Sequence, residues 1–301
     1  MNSSTNESSR GYLLFAHNNA SIDYACLALC NALLIKKNLL TVTDVALVTD
    51  HDTLEYMIEF NGQELVNRAF EHIIFSDAHI SEARPRRYHD TRYTTFADAY
   101  YNIDRPNAYS LSPFEETMMI DVDYLILDNT TDMVWGSVDE FLCNTKTRDL
   151  DHKSNNFGFD NRFNDMSIPL YWATAVYFRK TPLSKIIFEL MGFIREHWVY
   201  YQYLYRFLPS GYFRNDFALS IAIHIANNLM EYGSVPPLPV PHILFSMEHD
   251  EMHAFGDGKC MITSEPDMGQ FYLHAVNANL HMMNKRAIVR HKNDIINYAL
   301  S

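Results

Sequence analysis

Two carboxylates stand one residue apart in the stretch TMMIDVDYLIL, residues 117–127, whose other members are almost all apolar. An apolar run of this length reads as a buried strand, and alternate side chains of a strand face the same way. Asp121 and Asp123 therefore point to one side, or fan out together where the strand ends. Carboxylates this close raise each other's pKa unless a cation lies between them. A divalent ion with oxygen ligands is the natural partner. The plain alternative is an exposed strand end with two solvated acids, and the apolar surroundings weigh against it.

The elements around the pair set its context. Residues 11–16, GYLLFA, read as a first buried strand, followed by the polar turn His17-Asn18-Asn19. Ile22, Cys26, Leu29, Leu33 and Leu34 recur at helical spacing, which predicts a helix over 20–37. A second strand, 45–49, ends in Asp50-His51-Asp52. A helix over 53–70 and a third strand, 72–75, ending at Ser76-Asp77, come next. A looser polar segment carries Arg84, Arg86, Arg87, Arg92 and Arg105 before the paired acids arrive. Alternating strands and helices predict an α/β protein with a mostly parallel sheet. In such sheets ligands sit at the carboxyl ends of the strands, where His17, Asn18, Asp50, Asp52, Asp77, Asp121 and Asp123 gather.

The second half reads differently. Residues 167–180, SIPLYWATAVYFRK, form a long strand-like run, and Thr181-Pro182 is a strong helix start. That helix is predicted to run to about Leu208, stopping at Pro209-Ser210-Gly211, and another covers 215–229. Residues 242–301 read as short strands and loops with a final helix. The opening ten residues, MNSSTNESSR, lack an apolar core and are expected to be a disordered leader, with 11–130 and 131–301 as two halves of one domain.

The segment ETMMIDVDYLILDNT resembles the DxD segment of GT-A glycosyltransferases, particularly retaining enzymes that use nucleotide sugars, and phage-type members most closely. The resemblance implies a GT-A (Rossmann-like) fold, a mostly parallel sheet flanked by helices, with a mixed acceptor-side part at the C-terminus. It implies that Asp121 and Asp123 hold Mn2+ or Mg2+ on the donor diphosphate. In NLHMMNKRA, 279–287, it implies His281 as third metal ligand and Lys285 as a phosphate contact. Ala16, His17 and Asn18 are implied near base and ribose, Asp50 near the base, and Arg105 against the donor. In RNDFALS, 214–220, Asp216 is the implied catalytic residue, as general base in an inverting enzyme or as a sugar-positioning group in a retaining one. Trp172 and Thr174 are weaker candidates for the sugar pocket. The implied partner is a nucleotide-sugar donor, expected to be a UDP-sugar, and a hydroxymethylated DNA base is one candidate acceptor.

Composition narrows the alternatives. Lys plus Arg number 24 against 37 Asp plus Glu, a net charge of -13, which opposes general binding to a phosphate backbone. Cys26, Cys30, Cys143 and Cys260 form no CxxC pair and read as reduced, buried thiols of a cytoplasmic protein, host cytoplasm if viral. No apolar run reaches the roughly 18 residues needed to span a membrane, so no membrane partner is expected. HDEMH, 249–253, differs from the zinc-protease HExxH at its second position, and neither GxGxxG nor GxxxxGK[ST] occurs. The aromatic tail WVYYQYLYRF, 198–207, with Arg195 and Arg206, reads as helix core more than as a stacking platform. A non-catalytic α/β protein that binds a nucleotide or a metal is the competing class.

Overall fold

The computed structural model describes residues 9–76, 84–89, 95–101, 103–150, 168–205, 213–230, 235–245, 251–267 and 269–301. Strand β1, Arg10–Phe15, leads to helix α1, Tyr24–Asn38, which is capped by Asp23 accepting from the Cys26 amide. Helix α1 is apolar on nearly every face and is buried accordingly. Strand β2, Val45–Thr49, is followed by α2, His51–Asn61, and α3, Gln63–Ala69. The single helix predicted over 53–70 is broken because Gly62 takes a φ of 85°, a conformation that glycine supplies without strain. Strand β3, His72–Phe75, closes this part.

The looser, arginine-rich segment holds two strands, β4, Arg84–His89, paired antiparallel with β5, Thr95–Tyr100. A short helix α4, Ala108–Leu111, precedes β6, Glu116–Ile120. The apolar run 117–127 is two strands. It leaves the sheet at Asp121, turns, and resumes as β7, Tyr124–Leu125. Then come β8, Phe141–Cys143, β9, Arg148–Asp149, and β10, Ala175–Arg179. The long strand expected over 167–180 is therefore confined to its last third.

Helix α5, Pro182–Glu196, begins at the Thr181 cap as expected, but a break at His197 separates it from α6, Trp198–Leu204. The expected stop at 209–211 lies outside the described residues. Helix α7, Asn215–Ala226, follows, then β11, Ile243–Phe245, β12, Met252–Gly256, β13, Lys259–Asp267, β14, Gln270–Val276, and β15, Leu280–Met282. Helices α8, Lys285–Arg290, and α9, Lys292–Leu300, end the chain.

The main sheet has the order β3-β2-β1-β6-β10-β8. Strands β3, β2, β1 and β6 are mutually parallel, and β10 is antiparallel to both β6 and β8, so only β10 runs against the rest. The expected α/β architecture, a mostly parallel sheet between helices, is the observed one. A smaller mixed sheet, β7-β15-β11-β9, and an antiparallel sheet, β12-β13-β14, make up the C-terminal side.

Both faces of the main sheet are covered, which is why its strands read as unbroken apolar runs. Tyr12, Leu14, Met118, Ile120 and Tyr177 face α1. Leu13, Phe15, Met119, Val176 and Phe178 alternate with them and face α5 and α7. Each large side chain fully buried here contributes about 1.5–3 kcal/mol. Gly11 in β1 lies so close to Phe114 that a Cβ would come within 2.3 Å of the ring. All four cysteines are free and buried. No helix among the described residues is long and apolar enough to cross a membrane. Ser9 and Arg10 belong to the ordered fold: the Ser9 carbonyl accepts from Glu115 and Glu116, and Arg10 opens β1. The leader therefore overlaps the sheet at its end, while residues 1–8 are outside the described residues.

Candidate active site

The paired acids sit in the turn where β6 ends. The Asp121 amide donates to the Thr174 carbonyl (2.8 Å), the last interaction before the chain leaves the main sheet. The Tyr124 amide then donates back to the Asp121 carbonyl (3.0 Å), closing the turn. Val122 between the acids is buried, as is Asp123 itself.

Two asparagines far off in sequence fix this turn. Asn31, buried within α1, donates to the Tyr124 carbonyl (2.8 Å) and accepts from the Ile126 amide (3.1 Å). Asn279 accepts from the Leu127 and Asp128 amides (2.8 and 3.1 Å) and donates to Thr130 Oγ1 (3.0 Å). Strand β15 runs beside β7, with His281 opposite Tyr124, and the Met282 amide donates to the Asp123 carbonyl (2.9 Å). Asp121, Asp123 and Tyr124 are thus each held through their backbone, and both carboxylates line a cavity.

That cavity, about 90 Å³, is lined among others by Arg105, Asp121, Asp123, Asp216, His281 and Lys285. Arg105, itself buried, makes an ion pair with Asp121 and donates to the Ala173 carbonyl (3.0 Å). Lys285 makes an ion pair with Asp123, and His281 Nε2 lies 3.7 Å from the same carboxylate. Lys285 is the first residue of α8, where a positive charge opposes the helix dipole by about 0.3–1 kcal/mol. Its place there is compensated by Asp123. Burial by itself raises the Asp123 carboxyl, but Lys285 and His281 outweigh it and hold the group well below the usual carboxylate range.

Asp216 stands in the first turn of α7, where the dipole favours it. One carboxylate oxygen accepts from the Ala173 amide (2.8 Å) and the other from Arg214 (2.6 Å). Burial raises its pKa, but the Arg214 guanidinium, the Ala173 amide and Arg105 together outweigh it, and the net shift is downward. Three acids, Asp121, Asp123 and Asp216, thus meet three cations, Arg105, Arg214 and Lys285, around one cavity.

Asp121, Asp123 and His281 each present a ligand atom, all within 4.8 Å of one another. Two carboxylates and an imidazole suit a hard divalent ion of the Mn2+ or Mg2+ kind, so the donor set fits the group expected there. Behind His281 lies a second imidazole, His242, buried and stacked on it with ring centres 5.4 Å apart. Burial, and the nearby His281, push the His242 pKa down to about 3.

Six of the ten residues singled out in the sequence, Asp121, Asp123, His281, Lys285, Arg105 and Asp216, thus share one cavity, with Trp172 and Thr174 beside them. The other four gather next to it at the carboxyl ends of β1 and β2. Ala16 is buried, and its amide donates to the Val48 carbonyl (3.0 Å). His17 Nε2 donates to the Ser76 carbonyl (3.3 Å). Asn18 accepts from the Ala25 amide (2.8 Å), and its own amide donates to Thr53 Oγ1 (2.9 Å). Asp50 caps α2, accepting from the Thr53 amide (2.6 Å) and hydroxyl (3.0 Å). Phe15 and Tyr24, which flank this group in sequence, do line the cavity.

Asp77, Arg92, Arg206 and His249 lie outside the described residues. His253, the other end of HDEMH, is exposed and bonds Thr263 Oγ1 (2.7 Å). Of the aromatic tail, Trp198 and Tyr201 are core, whereas Tyr200 and Tyr203 are exposed. The residues not anticipated are Asn31, Asn279, Arg214 and His242. Asn31 carried a usable signal, a lone amide inside the apolar run CLALCNALLI.

No protein-family model matches the chain, and no curated protein matches it. Solved structures do. One is the glycosyltransferase GlyE of Streptococcus pneumoniae TIGR4, at 9% identity and a TM-score of 0.41 over 70% of this chain and 43% of that one. Another is the galactosyltransferase LgtC in complex with donor and acceptor sugar analogs, at 10% identity and a TM-score of 0.41 over 69% of each chain. A third is mouse xyloside xylosyltransferase 1, at 10% identity and a TM-score of 0.42 over 73% of this chain and 82% of that one. The chain spans less than half the length of GlyE.

Proposed function

We propose that the chain is a metal-dependent glycosyltransferase that moves a sugar from a nucleoside-diphosphate donor, a UDP-sugar by preference, to an acceptor hydroxyl. The observation that carries this reading is the convergence of Asp121, Asp123, His281, Arg105 and Lys285 on one cavity from three separate parts of the chain. Asp121, Asp123 and His281 hold Mn2+ or Mg2+. When bound, such an ion stabilises the negative charge that grows on the departing diphosphate.

The chain's own cations do the rest of that work. With a divalent ion held by Asp121 and Asp123, Arg105 and Lys285 would be free to pair with phosphate oxygens of the donor. This keeps the cavity near neutrality while the donor adds negative charge. Base and ribose lie over the carboxyl ends of β1 and β2, on the side of Ala16, His17, Asn18 and Asp50. This makes 11–130 the donor half and 131–301 the acceptor-side half of one unit.

Asp216, held ionised by Arg214, is a strong hydrogen-bond acceptor and a weak base. A depressed pKa is poorly matched to removing a hydroxyl proton near neutral pH. Its role in this reading is to grip the donor sugar beside Trp172 and Thr174. The acceptor is a hydroxyl compound. A hydroxymethylated base in phage DNA is one form to test, although the net charge of -13 opposes tight duplex binding.

The existing ion pairs of Asp121 and Asp123 favour one competing reading, a non-catalytic binding protein whose acids are structural. A thermal-shift screen of nucleotide sugars with Mn2+, followed by donor hydrolysis, separates the two. The enzyme releases nucleoside diphosphate slowly with Mn2+ and stops doing so as Asp123→Ala. Absence of nucleotide-sugar binding with any divalent ion would refute the proposal.

A further inference from the structure

We infer that His242 is a positioning residue for His281, setting which ring nitrogen of His281 carries the proton and so how readily Nε2 takes a metal. The inference rests on the metal reading above and goes beyond it to a residue outside the cavity lining.

His242 immediately precedes β11, which pairs in parallel with β15 and places Leu244 opposite His281. Its ring is clasped edge-on by Trp172 (5.2 Å) and Tyr124 (6.0 Å) and lies nearly parallel to His281, at 20°. The His242 carbonyl accepts from the Arg148 amide (2.9 Å) and Thr147 Oγ1 (3.2 Å), which fixes the backbone. His242 Nε2 is 3.3 Å from His281 Nδ1, and Thr174 Oγ1 is 3.4 Å from the same nitrogen. His242 Nδ1 is buried with no hydrogen-bond partner.

A neutral imidazole has one N–H and one bare nitrogen, so the pair has two arrangements. In the first, His242 Nε2–H donates to His281 Nδ1, and His281 keeps its proton on Nε2, toward Asp123. The group left over is a bare His242 Nδ1. In the second, His281 Nδ1–H donates to His242 Nε2, and His281 Nε2 is bare, as a metal ligand must be. The group left over is then a buried N–H on His242 Nδ1, which is the costlier orphan. The metal-free chain therefore holds the first arrangement, and a divalent ion drives it to the second. His242 is the acceptor that makes the second arrangement available. Partners of this kind fix the tautomer and aim of ligating histidines, and their loss weakens metal binding by about 10–100-fold.

The test uses the full chain and its His242→Phe, His242→Gln and His281→Ala variants. Imidazole 15N shifts of His281 are read without metal and with Mg2+, and Mn2+ affinity is read by electron paramagnetic resonance. The expected result is an Nε2–H tautomer without metal that becomes Nδ1–H with Mg2+. His242→Phe should lose about 10–100-fold in Mn2+ affinity, and His242→Gln, which restores an amide oxygen, should recover most of it. Should His242→Phe fail to fold, the tautomers of wild type and His242→Gln decide the matter. Mn2+ affinity unchanged in His242→Phe but lost in His281→Ala would overturn the role of His242 and leave the metal site standing. Affinity unchanged in His281→Ala as well would overturn the metal reading and the inference with it.

Discussion

Two neighbouring clusters of polar residues close the main sheet, and they are built differently. At the carboxyl ends of β1 and β2, His17, Asn18 and Asp50 hydrogen-bond to turns and helix starts of the first 80 residues, within one βα unit or the next. At the end of β6, Asp121 and Asp123 meet Arg105, His281 and Lys285, and the Asp123–Lys285 pair spans 162 residues. The first cluster is what any α/β turn needs in order to satisfy its backbone. The second puts buried charges together where no turn requires them, and such groups are costly unless paired. A polar residue at a strand end is therefore weak evidence of a site, whereas opposed charges brought together from distant segments are strong evidence.

That contrast can be broken experimentally. The largest effect is expected for Asp123→Ala, which leaves Lys285 facing no carboxylate from residue 123. Stability should fall by about 3 kcal/mol, the low end for breaking a buried pair because Lys285 is partly exposed, and Mn2+-dependent donor hydrolysis should vanish. Chemical denaturation and nucleotide release measure both. Next is Asn31→Ala, which removes the clamp on the turn and strands the Tyr124 carbonyl and the Ile126 amide. A loss of about 2 kcal/mol follows from two buried groups left unmade, with weaker Mn2+ binding although residue 31 touches no metal.

A third prediction concerns the opposite end of β6. Burial raises the Glu116 carboxyl, but the Tyr177 hydroxyl (2.9 Å), the Gly136 amide and Arg10 together bring it below its ordinary value of 4.5. A carboxyl lowered on folding contributes stability that is present above its unfolded pKa and is lost as pH falls through the folded one. Melting temperature should therefore decline below about pH 4.5. Tyr177→Phe should cost about 1.5 kcal/mol near neutral pH and flatten that decline.

The smallest effect is at the first cluster. Asp50→Ala should cost about 1 kcal/mol as a lost cap, and Asp50→Asn should restore it. A donor KM raised in both variants would put Asp50 on the nucleotide. A KM that follows stability alone would leave it a cap.

These clusters also mark what the sequence made legible. Strands 45–49 and 72–75 appear as read, the first because a strand covered on both faces must be apolar throughout, the second although it is a half-exposed edge. Asp121 and Asp123 were visible because they violate that rule. The end of the strand at residue 120 was not, since β6 and β7 share one apolar run that is divided by long-range bonds such as those from Asn31 and Met282. Gly62 was the local signal for the break between α2 and α3, and it outranked the helical periodicity. The strand pair 84–89 and 95–100 was hidden because the charged residues of its first strand mask the strand period. Arg214 and His242 had no local signal: each becomes meaningful only beside Asp216 or His281, and those pairings belong to the folded chain.

The central claim is that Asp121, Asp123 and His281 bind a divalent ion on which a nucleoside diphosphate rests. Calorimetric titration with UDP, in the presence of Mn2+ or of a chelator, tests it most directly. Binding should require Mn2+ and be lost in Asp123→Ala. Equal binding with the chelator, or undiminished Mn2+-dependent binding in Asp123→Ala, would contradict it.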